Sequence, residues 1–169
     1  MKAELKAKFL QHLNRKKQDE GFTIIELLIV MIIIGIVSAL ALPSFLNQAA
    51  KAEQSEAKTY VGAIIRAQQA YRLENKSFAP DITTLQIGLP TDTLSYTYIL
   101  TNNDNTALVN ANSKDAQQLR SYAGGVIVVE SGLTVAIACQ TTGVTNVAPN
   151  VNLNPNAGAS CPPPGQVMK

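Results

Sequence analysis

From Leu27 to Ala50 no residue carries a formal charge, and the run is rich in Ile, Leu and Val. A stretch of this kind is long enough to cross a bilayer as a helix. Its apolar residues occupy the whole circumference rather than one stripe, as suits a helix surrounded by lipid. A chain that carries it cannot fold around a single core, because one segment must be given to lipid or to other apolar helices. At the mouth of the run stands Glu26, within Gly21-Phe22-Thr23-Ile24-Ile25-Glu26. A carboxylate carried to the bilayer centre costs about 2.5–3.5 kcal/mol, so such a residue is a functional candidate once a partner can be named. The candidate partner is a new amino group at Phe22, which exists only if the chain is cut after Gly21.

With 169 residues there is room for one domain and one extended element. The net charge of +2 hides an uneven split. Residues 1–21 hold Lys2, Lys6, Lys8, Arg15, Lys16 and Lys17 against Glu4, Asp19 and Glu20, while the remainder has eight basic and nine acidic residues. A basic leader beside a membrane segment predicts a cytoplasmic N-terminus. The chain beyond Ala50 then belongs across the membrane. Two cysteines, Cys139 and Cys161, fit that side, since an even count in an exported domain suggests a disulfide.

Along the chain, residues 1–21 read as a polar leader, residues 22–46 as the hydrophobic helix and residues 47–169 as the exported globular domain. Gly35 and Pro43 interrupt the apolar run. Proline removes one backbone bond, here to the carbonyl of Ala39, and glycine adds backbone freedom, so a kink or melted turn is expected between them. Asn47–Glu74 is strongly helix-forming, with an apolar stripe at Tyr60, Ile64, Ala67 and Tyr71 that Val61 and Ile65 widen. Continuous from Phe22 to Glu74, the helix would be about 80 Å long. Turn signals come next, at Asn75, Pro80-Asp81, Gly88 and Pro90. Strands are expected over Ser95–Leu100 and Thr106–Asn110, then over Val126–Glu130 and Leu133–Cys139 around a Ser131-Gly132 turn. Residues 113–120 are polar and unassigned. From Gln140 the chain is rich in Asn, Pro and Gly and would be loose alone; a bridge from Cys139 to Cys161 would fasten it, worth about 3 kcal/mol in the chain-entropy model.

The hexapeptide Gly21–Glu26, followed by Leu27-Leu28-Ile29-Val30 and later by Gly35 and Pro43, resembles the N-terminus of type IV pilins and pseudopilins. The close match covers roughly residues 20–60. The long leader and the domain's composition are also similar to pilins of photosynthetic bacteria, the cyanobacterial type. The resemblance implies an α+β fold in which a long N-terminal spine helix packs on a small antiparallel sheet. It implies cleavage after Gly21 on the cytoplasmic face by a prepilin peptidase, and N-methylation of Phe22. Glu26 would pair with the Phe22 amine of a neighbouring subunit, and Gly35–Pro43 would be the part of the helix able to melt in a filament. Cys139–Cys161 would bound a variable loop. The implied partners are further copies of the chain in a helical homopolymer, the peptidase and methyltransferase, an inner-membrane assembly platform, minor pilins, and membrane lipid before assembly.

Other readings compete. Ala39-Leu40-Ala41 resembles the small-residue cleavage site of a secretory signal, which would give a secreted or anchored binding domain that never polymerises. A pseudopilin of a type II secretion system shares the same N-terminal pattern. Enzymatic chemistry finds no support: the only histidine, His12, lies in the leader, and no zinc spacing, phosphate-cradling loop or nucleophile constellation occurs. No cofactor is expected. Asp81, Asp92, Asp104 and Asp115 are scattered and lack an EF-hand pattern. The expectation is a structural subunit, made as an inner-membrane precursor and assembled on the cell surface.

Overall fold

The computed structural model describes residues 22–168; the expected leader, with His12 and Gly21, lies outside them. The first described element is a helix, α1, over Ile24–Asn75, within two residues of the expected Phe22–Glu74. It closes where the Lys76 N–H donates to the Arg72 carbonyl at 2.9 Å, with Lys76 at φ 56°. That left-handed closure is usually left to glycine. α1 is helical through Gly35 and Pro43, so in the single chain no melted turn interrupts it there. A single proline costs one intrahelical bond, and the good helix formers around it carry the ladder across.

The chain falls into two units, one ending at Leu46 and one starting at Asn47. In the first, every described residue is exposed. Among the described residues α1 is the one helix long and apolar enough, by length and composition, to cross a membrane.

The second unit is α+β. Strands β1 (Tyr96–Asn102), β2 (Thr106–Ser113), β3 (Tyr122–Val128), β4 (Thr134–Thr141) and β7 (Gly165–Val167) form one antiparallel sheet in the order β1-β2-β3-β4-β7. A separate hairpin pairs β5 (Asn152–Asn154) with β6 (Gly158–Ser160). The four strands expected from the sequence are present with shifted bounds. β3 is the largest correction: it begins at Tyr122 rather than Val126 and ends before Glu130. The Asn- and Pro-rich segment after Gln140 contributes three short strands, and the last joins the sheet.

The shift of β3 has a packing cause. Its residues alternate between two covered faces, so both Gly124 and Gly125 lie buried within it. A methyl group on Gly124 would collide with Ile65 Cδ1 and sit 2.7 Å from Val61 Cγ1, both on α1. On Gly125 it would sit 2.8 Å from Leu153 Cδ2 and 3.0 Å from Val151 Cγ1. These glycines let the helix approach on one face and the C-terminal segment on the other. Glycine marks strands at close backbone approach, whereas on propensity alone it reads as a break.

α1 meets the sheet through Val61, Ile64 and Ile65 of the expected stripe, with its most buried line shifted toward Ala57 and Gln68. Its buried residues are Ala57, Val61, Ile64, Ile65 and Gln68, while Tyr60, Ala67 and Tyr71 are half-buried. The stripe is rotated because a polar residue holds the centre. Gln68 Oε1 accepts from the Ala79 N–H at 2.9 Å, and Gln68 Nε2 donates to the Ala79 carbonyl at 3.0 Å. The side-chain amide thus imitates a strand neighbour for the loop after α1, so its burial carries no unpaired polar group. Phe78, Ile82 and Leu119 complete the core with Tyr96, Val109, Tyr122 and Val126.

Candidate functional site

Of the residues singled out at the N-terminus, Phe22 and Glu26 are described, and they lie just before and within the first turn of α1. Thr23 sits just before the first helical residue, and the Leu27 N–H reaches its carbonyl at 3.3 Å. Glu26 Oε2 accepts from the Thr23 N–H at 2.9 Å and from the Thr23 hydroxyl at 2.8 Å. In return the Glu26 N–H donates to Thr23 Oγ1 at 3.3 Å. This is a capping box: a hydroxyl residue and a carboxylate three positions on satisfy each other's orphan backbone donors. The acid therefore also lies where the positive end of the helix dipole favours it.

Both bonds that the carboxylate accepts fall on Oε2, and Oε1 has no hydrogen-bond partner among the described residues. Thr23 is thus a site residue that sequence reasoning passed over, although the signal Thr23-Ile24-Ile25-Glu26 was present as a Thr-x-x-Glu pattern. Phe22 is exposed beside this turn. A methyl group on Gly35 would meet nothing within 4 Å, so no contact among the described residues requires glycine there. Pro43 lies inside the helix, one turn short of the end of the first unit.

At the other end of the chain, Cys139 and Cys161 form a disulfide with their Cα atoms 5.7 Å apart. Cys139 is buried in β4, and β7 pairs with the same residues, Cys139 opposite Val167. A small polar cluster holds the intervening loop. The Ser121 and Ser113 hydroxyls both donate to the Thr145 carbonyl, at 2.7 and 2.8 Å, and the Ser113 N–H donates to Ser121 Oγ at 3.0 Å. The segment expected to be loose is therefore tied to the sheet by covalent, polar and strand contacts.

A helix apolar all round in its first half, begun by a capped carboxylate, and an α+β domain built on its second half define a class of anchored structural subunit. The chain belongs to the type IV pilin-like family: residues 54–162 match the family described as type IV pilin-like G and H. Residues 16–42 match the prokaryotic N-terminal methylation motif. The family is one of structural subunits, not enzymes, and its members include filament pilins and secretion-system relatives.

Among individual proteins, the chain is similar to the type IV major pilin protein PilA of Myxococcus xanthus, with 44% identity over 62 residues, covering 37% of this chain and 28% of that protein. Similarity to the type IV wide pilus major component PilA4 of Thermus thermophilus runs to 25% identity over 134 residues, covering 79% of this chain and 96% of the relative. The type II secretion system core protein G of Aeromonas hydrophila is 31% identical over 64 residues, covering 38% of this chain and 45% of the relative. The first of these matches thus spans little more than a quarter of its relative, whereas the Thermus match spans nearly the whole of it.

Proposed function

We propose that this chain is the precursor of a filament subunit that polymerises through its N-terminal helix into a type IV pilus. Residues 1–21 serve as a cytoplasmic leader, residues 22–46 as the membrane and assembly helix, and residues 47–169 as the exported domain. A prepilin peptidase cuts after Gly21, and the freed Phe22 amine is methylated. Glu26 then receives the Phe22 ammonium of a neighbouring copy on Oε1, while Thr23 keeps the carboxylate aimed. In an apolar surround an unpaired carboxylate costs several kcal/mol, which good geometry with a cation offsets. Docking at that contact is head-to-tail, so repetition builds an open helix rather than a closed pair. Gly35–Pro43, with one backbone bond already missing, is where α1 loses helicity most cheaply when packed.

The observation that carries this reading is Glu26, held at the first turn of α1 before the uncharged run Leu27–Ala50, with both carboxylate bonds on one oxygen. The precursor is placed in the inner membrane with its N-terminus inside, meeting lipid, the assembly platform and minor pilins before joining the surface filament. Mass spectrometry of sheared filaments should find chains beginning with methylated Phe22. A Glu26→Ala chain should be processed normally but yield filaments reduced by about tenfold or more, given the cost of an unpaired buried charge. Filaments at normal abundance from that variant, or native filaments whose chains retain residues 1–21, contradict the assignment. Similarity to a secretion-system core protein favours one second reading, a pseudopilin; under it the chain is processed alike but stays out of surface filaments.

A further inference from the structure

The second half of α1 sorts its charges by side. With the buried line Ala57–Val61–Ile64–Gln68 taken as the front, helical geometry of about 3.6 residues per turn places Glu53, Glu56 and Glu74 on one flank and Lys51, Lys58 and Arg66 on the opposite flank or back. No Glu–Lys or Glu–Arg pair occurs at the three- or four-residue spacings that stabilise a solvated helix, and Glu53 and Glu56 are like charges three apart. Among the described residues the single salt bridge is Lys114–Asp92, away from the helix. Glu53, Glu56, Glu74 and Arg66 have no ionic partner among them.

The two flanks also differ in shape. On the basic side a groove of about 540 Å³ opens between α1 and β4, lined by Lys58, Gly62, Arg66, Ala136, Ala138 and Met168. Two of the β4 residues that line it are alanines, and the Arg66 guanidinium lies over Gly62, where an added methyl would stand 3.5 Å from Nη1. The acidic flank presents Ala63, Ala67 and Ala70 between its carboxylates. Small side chains let a helix seat closely against its neighbour.

We infer that this groove takes the acidic flank of a second copy's helix, with Arg66 facing Glu53, Glu56 or Glu74 of that copy. The two patches are different surfaces of one molecule, so the contact is heterologous and repeats without closing a pair. Charge complementarity commits the occupant: a self-paired twofold contact would bring basic flank to basic flank. The inference rests on the filament reading and adds a lateral contact outside the apolar helix segment.

Charge reversal in the full-length chain, expressed in its own host, tests it. Arg66→Glu should lower sheared-filament yield by at least about tenfold, since facing like charges cost several kcal/mol. Leader cleavage and the amount of oxidised domain in the membrane should be unchanged, Arg66 being exposed. Combining Arg66→Glu with one of Glu53→Lys, Glu56→Lys or Glu74→Lys should restore filaments, because the pair re-forms between copies with its signs exchanged. Wild-type yield from Arg66→Glu alone, or no rescue by any of the three acidic reversals, overturns the lateral contact. Absence of filaments from the wild-type chain instead overturns the filament reading beneath it.

Discussion

At the residue scale, Gln68 shows why a polar side chain belongs in this core. Its amide completes both backbone groups of Ala79, a task no apolar side chain can perform. Gln68→Leu fills similar volume but strands a buried N–H and a buried carbonyl, at roughly 1–3 kcal/mol for each unsatisfied group. Thermal unfolding of the full chain in detergent should show a clearly lowered midpoint and earlier proteolysis between residues 76 and 90, whereas an unchanged midpoint removes Gln68 from its assigned role. Thr23 and Glu26 make the opposite case. Their reciprocal cap is set by spacing alone, so it could be read from the letters Thr-Ile-Ile-Glu. The neighbour that Glu26 awaits is a property of the assembly and not of one chain.

At the element scale, α1 and β3 divide what was legible. Fifty-two helical residues announce themselves by composition, by a cap and by the absence of a competing pattern. β3 does not, because its middle is Gly124-Gly125 and its first residues lack alternation in polarity. Both faces of that strand are covered, so the half-buried pattern that betrays β1 and β2 is missing. Gly124→Val is the sharpest test of this packing. The new side chain would be driven into Val61 and Ile65 on a β-branched stretch of helix with little rotamer freedom. Overpacking of this kind costs about 1–3 kcal/mol, and chemical denaturation should report it as a lowered midpoint. Gly132, which sits in a turn with φ 79° and open space around it, is a useful contrast; there the cost of a side chain is conformational only, and Gly132→Asn should be tolerated better than Gly124→Val.

At the scale of the whole molecule, ionisation of buried phenols links the folded domain to pH. Burial raises the Tyr122 hydroxyl to about 12 and pushes those of Tyr96 and Tyr98 higher still. An unfolded tyrosine ionises near pH 10. The stabilisation is therefore complete below about pH 10 and is lost as pH climbs through the folded values, since only the unfolded chain then sheds these protons. Tyrosinate absorbance and loss of helix signal should rise together in an alkaline titration. A rise in absorbance by these residues while the fold persists would contradict their burial. On the acid side, Asp92 is held below the usual carboxylate range by Lys114 and Thr97, and Asp81 by Thr83 and Thr84. Their contribution is present above about pH 4 and fades as pH falls through the lowered values. The Cys139–Cys161 bond sits within the same architecture, joining the end of β4 to the segment that returns as β7.

What the amino-acid order determines by itself is local: a helix from near Phe22 to near Glu74, an uncharged run in its first half, a carboxylate at the threshold of that run and four sheet strands. Those come from periodicity and charge spacing, which act over a few residues. Only tertiary structure decides that Gln68 is buried in the core more deeply than Tyr60, that a double glycine is the middle of a strand, and that an Asn- and Pro-rich tail adds β7. Each depends on what lies across from the residue, Ala79, Val61 or Ala138, and the chain brings those partners together from positions that no short window contains.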